Sequence, residues 1–95
     1  QLPTSITNGK IIEFEILKQK IFNFSGIGKF KIMLKQELNK SEIEILINYL
    51  KNNLFSIGKT MFFEFFIDIK QINNLSWVSA TFKKEKIEIQ FNIKN

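Results

Sequence analysis

Apolar and polar positions alternate most sharply over residues 61–69, MFFEFFIDI, where Met61, Phe63, Phe65, Ile67 and Ile69 recur at every second place. Successive side chains of a strand point to opposite faces, so the spacing predicts a central strand. One face of it is dry, and the other carries Phe62, Glu64, Phe66 and Asp68. Earlier in the chain, Ile12, Phe14 and Ile16 alternate with Glu13, Glu15 and Leu17 over residues 11–18, and Ile21, Phe22 and Phe24 continue the pattern beyond a break at Gln19 and Lys20. Ser25-Gly26-Ile27-Gly28 has turn composition, after which Phe30, Ile32 and Leu34 alternate with Lys31, Met33 and Lys35, predicting a second strand paired with the first as a hairpin. Near the end, Val78, Ala80 and Phe82 oppose Trp77, Ser79 and Thr81. A charged turn over residues 83–86 then leads to Ile87, Ile89, Phe91 and Ile93 set against Glu88, Gln90, Asn92 and Lys94.

Between the second and third strands the period changes from 2 to about 3.6. Ile43, Leu46, Ile47, Leu50 and Leu54 recur at helical spacing behind Ser41-x-x-Glu44, which has the spacing of a capping box, and Ser56 with Gly58 supplies a stop. A helix over residues 42–53 follows. The order is β-β-α-β-β-β, an α+β fold in which one helix packs on one face of a mostly antiparallel five-stranded sheet. If the helix is a right-handed crossover from second to third strand, the third runs antiparallel to the first and can sit beside it, giving strand order 2-1-3-4-5. Residues 1–10 lack periodicity and collect Pro3, three hydroxyl residues and Asn8-Gly9; they read as a leader or linker before a single domain spanning 11–95.

Composition narrows the chemistry. With 95 residues, 44% hydrophobic residues and 24% charged, the chain suits one globular domain with one core. It holds neither cysteine nor histidine, which removes disulfides, thiolate metal sites, the commonest zinc ligands and the Ser-His and Cys-His pairs. The formal charge is +5 and every cationic residue is lysine, so bidentate guanidinium reading of guanine or phosphate is closed to it. No apolar run approaches the roughly 20 residues that span a bilayer. The chain begins at Gln1, which fits an anchor or signal upstream. No metal or cofactor is expected.

Two glycine motifs invite a phosphate-loop reading and fail it. Gly26-Ile27-Gly28-Lys29 lies between two strands with no helix following, and Gly58-Lys59-Thr60 has Asn53 where the motif's first glycine belongs and stands in helix-to-strand order. Paired carboxylates work without histidine, but Glu13 and Glu15 are neighbours along one solvated strand and Glu64 and Asp68 are twice as far apart, whereas glycosidic chemistry needs facing groups in a cleft. Cross-strand pairing with lysine accounts for them better, and no enzyme is expected. The acceptor triplets at Asn23, Asn39 and Asn74 stand only slightly above the roughly one that chance supplies.

The C-terminal half, an aromatic strand, a polar link and then Trp77-Val78-Ser79-Ala80-Thr81-Phe82 with its Trp-x-x-Ala-x-Phe core, resembles uncharacterised small bacterial α+β domains that sit behind a signal or lipoprotein anchor. The resemblance implies no activity and no functional residue; it implies an extracytoplasmic or cell-envelope location, with the cytoplasm as the alternative.

The candidate binding surface is the sheet face away from the helix. Alternation assigns Phe62, Phe66 and Trp77 to it, with Met33 beside them and Lys31 and Lys35 among the polar neighbours. Contiguous exposed apolar area marks binding surfaces, and Trp is favoured at interface centres. Set against this is burial of the same aromatics beneath a loop or in a homodimer. The pattern predicts a non-catalytic protein-interaction domain, exported or held at a membrane surface, whose partner is another protein or a second copy. The alternative is a cytoplasmic single-stranded nucleic-acid module, against which the carboxylates on the same face argue because each cancels a phosphate contact.

Overall fold

A computed structural model describes residues 5–7, 11–55, 57–67 and 76–92. The chain order is β1 (Ser5–Thr7), β2 (Ile11–Phe22), β3 (Ile27–Leu34), α1 (Lys40–Leu54), β4 (Thr60–Phe66), β5 (Val78–Lys83) and β6 (Lys86–Phe91). Strands β2 to β6 form the expected mostly antiparallel sheet, and α1 covers one face. The described part of Asp68's segment ends at Ile67, so the last residues of the predicted central strand lie outside the described residues, as does Asn74.

The strands stand in chain order, which corrects the expected sequence 2-1-3-4-5. β4 lies beside β3, parallel to it, in a register running from Ile27↔Thr60 to Met33↔Phe66. Parallel neighbours need a crossover, and α1 supplies it. The adjacent placement brings core-facing rings of the two strands together: Phe30 and Phe63 stack with centroids 5.3 Å apart, and Phe65 continues the stack 6.0 Å from Phe63.

Two local readings also change. Ser5–Thr7, expected to be linker, pairs antiparallel with Ile11–Glu13 and satisfies part of the outer edge of β2. And β2 is not broken at Gln19 and Lys20. It runs unbroken to Phe22, with a register irregularity at Leu17 between Ile16↔Ile32 and Lys18↔Lys31. One extra residue in a strand reverses the facing of all that follows. Hence Ile12, Phe14 and Ile16 face the helix before it, whereas Gln19 and Ile21 stand opposite Phe30 and Gly28 after it.

The helix begins two residues earlier than Ser41-x-x-Glu44 suggests. Asn39 is the N-cap: its Oδ1 accepts from the Glu42 amide at 2.8 Å, while its own amide donates to Glu42 Oε1 at 2.9 Å. The earlier box wins because Leu38 then precedes the cap and Ile43 lies four places into the helix, the spacing of a hydrophobic staple, with both residues buried. Ile43, Leu46, Ile47 and Leu50 are fully buried against Ile32, Met61, Phe63, Phe65 and Val78. The helix ends where Phe55 folds under the sheet end. A Cβ on Gly28 would approach the Phe30 and Phe55 rings to 2.8 and 3.1 Å, and one on Gly58 would meet Phe55 at 2.4 Å, so these glycines make room for aromatic packing. No described helix is long and apolar enough to cross a membrane.

Candidate functional site: the lysine-rich half of the open sheet face

Opposite the helix, cross-strand pairing lays residues out in rows. One row runs Lys20, Lys29, Phe62, Thr81, Glu88, and the next runs Lys18, Lys31, Glu64, Ser79, Gln90. The two are about 6.6 to 6.8 Å apart, two residues along a strand. Between them lies a shallow depression of about 550 Å³ lined by the four lysines from β2 and β3 and by Phe62, Glu64, Ser79 and Thr81. Phe62 is 40% exposed. Lys18, Lys20 and Lys29 are exposed, and Lys31 is half-buried with its Nζ 4.0 Å from Glu64 Oε1.

The bulge at Leu17 builds this cluster. Counted without it, Lys18 and Lys20 share the parity of Ile12, Phe14 and Ile16 and would face the core; the extra residue turns them to the open side, directly opposite Lys31 and Lys29. Like charges placed directly opposite each other on a sheet are destabilising. Among the described residues, Lys31 is the one of the four lysines that meets a carboxylate, and that contact is long and partly solvated, while Lys20 Nζ lies 5.5 Å from the Phe22 ring centroid. The sheet therefore concentrates positive charge on this half of its open face.

Of the five residues singled out from the sequence, the structure brings together Phe62 and Lys31. Lys35 is exposed beyond the end of β3, about 13 Å along the strand from Lys31. Phe66 and Met33 do lie on the face away from the helix, opposite each other, but they are 0% and 7% exposed and stand apart from the helix-side core. That end of the face is closed. Trp77 precedes β5 rather than forming part of it, so strand alternation does not govern its direction. Its ring packs edge-on against Phe91, 5.6 Å away, at the margin of the main core. The three-aromatic docking surface expected from alternation is thus not assembled; one exposed ring remains.

Lys18, Lys20 and Lys29 were not among the candidates. Lys29 shares a parity with Lys31 and was legible. Lys18 and Lys20 carried a fainter signal, the shift of apolar positions from even numbers up to Ile16 to Ile21 beyond it, which marks a bulge. The carboxylates are scattered: Glu13 and Glu15 are exposed, opposite Ser5 and Met33, and Glu64 contacts Lys31. At the closed end, Asn92 Nδ2 donates to Ser79 Oγ at 2.8 Å and to the Ser76 carbonyl at 3.1 Å, and the Asn92 amide donates to the Trp77 carbonyl at 2.8 Å. This polar cluster ties the start of β5 to the end of β6.

No protein-family model, curated protein or solved structure matches this chain.

Proposed function

We propose that the chain is a non-catalytic interaction domain that receives an acidic segment of a partner protein across the lysine-rich half of its open sheet face, with Phe62 as the apolar anchor. The supporting observation is the pair of like-charge cross-strand contacts, Lys20 opposite Lys29 and Lys18 opposite Lys31, placed beside an exposed ring. An arrangement that costs the free domain stability and sets an exposed ring beside a cluster of cations suits a ligand with carboxylates next to an apolar side chain. The dispersal of Glu13, Glu15 and Glu64, none of them facing another across a cleft, supports a binding role over a catalytic one.

Titration of the isotope-labelled domain with a peptide of alternating Glu and Phe tests this. The expected result is saturable movement of the amides around Phe62, Lys29 and Lys31, weakened about tenfold or more by Lys20→Glu combined with Lys29→Glu. Phe62→Ala weakens binding without altering the salt dependence. Absence of any movement overturns the reading.

The exposed Phe62 ring beside the lysines also favours a second reading, a single-stranded nucleic acid stacking one base there. Binding of oligothymidylate with a steep salt slope, in the absence of peptide binding, would select it. An extracytoplasmic or membrane-surface setting rests on the resemblance of the C-terminal half, and fractionation of cells expressing the complete gene product tests it.

A further inference from the structure

Three connections meet at the same end of the sheet as the lysine rows. The outermost row there is Phe22, Ile27, Thr60, Lys83, Lys86. Beyond it project the β2–β3 turn carrying Phe24, the α1–β4 loop carrying Ile57, and the β5–β6 turn, Lys84-Glu85. The first two are joined by hydrogen bonds from the Lys59 and Thr60 amides to the Gly26 carbonyl at 2.8 and 3.0 Å. Phe24 is fully exposed, Ile57 is 77% exposed and Phe22 is 41% exposed, so among the described residues the exposed large apolar side chains other than Phe62 and Ile11 are gathered at this tip.

The charge around them is one-sided. Lys20, Lys29, Lys59, Lys83, Lys84 and Lys86 ring the tip, against Glu85 and Glu88. Among the described residues, the opposite end carries Glu13, Glu15, Glu37, Glu42 and Glu44 with Lys35 and Lys40. Lys84 and Glu85 also sit at φ 52° and 64°, the left-handed region, in a two-residue hairpin connection where Asn-Gly would be unstrained. Charged side chains are held there at a cost in backbone energy.

From this we infer that the tip is a membrane-docking surface, in which Phe24 and Ile57 enter the interfacial region of an anionic bilayer while the surrounding lysines contact its headgroups. Exposed apolar side chains on separate loops do not form the flat contiguous patch that a protein interface core requires, whereas a fluid bilayer needs no complementary pocket. Each lysine near an anionic surface adds attraction, and the lysines around Phe24 and Ile57 favour a tip-first approach. The apolar tip of Phe24 and Ile57 is separate from the Phe62 ring, although Lys20 and Lys29 border both.

Flotation of the domain with phosphatidylcholine vesicles, alone and with roughly 30% phosphatidylserine, tests the inference. The domain is expected to float with the anionic vesicles only, and added salt to release it. Phe24→Ser should weaken partitioning about tenfold, and Lys59→Glu with Lys84→Glu should weaken it further, roughly fivefold for each charge lost. Both sets change only exposed side chains, so denaturation midpoints should hold. Phe62→Ala should leave flotation untouched, which separates this surface from the sheet-face site. Failure to float with anionic vesicles, equal binding to neutral ones, or indifference to the tip substitutions overturns the inference. So does loss of acidic-peptide binding in Phe24→Ser without any vesicle binding, which would assign the tip to the protein partner.

Discussion

Phe62 and Phe66 are four residues apart on one strand, point to the same side of the sheet and have opposite fates. Phe66 lies at the closed end of that face, opposite Met33 and fully buried; Phe62 lies at the open end, opposite Lys29 and Thr81 and 40% exposed. The closed end is finished with a polar cluster in which Asn92 satisfies Ser76 and Ser79. The open end is finished with cations that face each other. The contrast shows that an apolar residue on the outer side of a strand is a docking candidate only if nothing else in the fold reaches it, a condition that alternation cannot report.

The contrast can be broken by mutation. Phe66→Ala should cost about 3–5 kcal/mol in denaturant unfolding and Phe62→Ala less than about 1 kcal/mol; equal costs would mean that the two ends are not different in kind. At the closed end, Asn92→Ala should destabilise by about 1–2 kcal/mol, since it leaves the buried Ser76 and its carbonyl short of a donor. At the basic tip, Glu85→Gly should raise stability by about 1 kcal/mol by relieving a positive φ of 64°, read as a shift in thermal midpoint. Smallest of all, Lys29→Thr should stabilise by a few tenths of a kcal/mol by removing the repulsion with Lys20 while weakening the acidic-peptide complex. A variant that improves folding and harms binding is the signature of charge kept for a ligand.

Much of the architecture was legible in the residues. Ile12, Phe14, Phe30, Ile32, Met61, Phe63, Phe65, Val78, Ala80 and Phe82 all lie where alternation puts them, on the helix side. The helix was legible from Ile43, Leu46, Ile47 and Leu50, but its start was misread because Asn39 and Glu42 repeat the spacing of Ser41 and Glu44. The candidate site was less legible. Lys18 and Lys20 were hidden by a bulge that one extra residue creates, and Trp77 was misassigned because it stands just outside the strand whose parity it was given.

What the residues determine by themselves is local: which segments are ribbon, which is helix, and which side of each is apolar, because periods of 2 and 3.6 follow from backbone geometry within a few residues. Contacts between distant segments decided the rest. They set β4 beside β3, reversed the second half of β2, buried Phe66, left Phe62 open, and drew Phe24 and Ile57 to one end among lysines. Each of those outcomes depends on which surface reaches which, a competition among packing arrangements that no window of sequence contains.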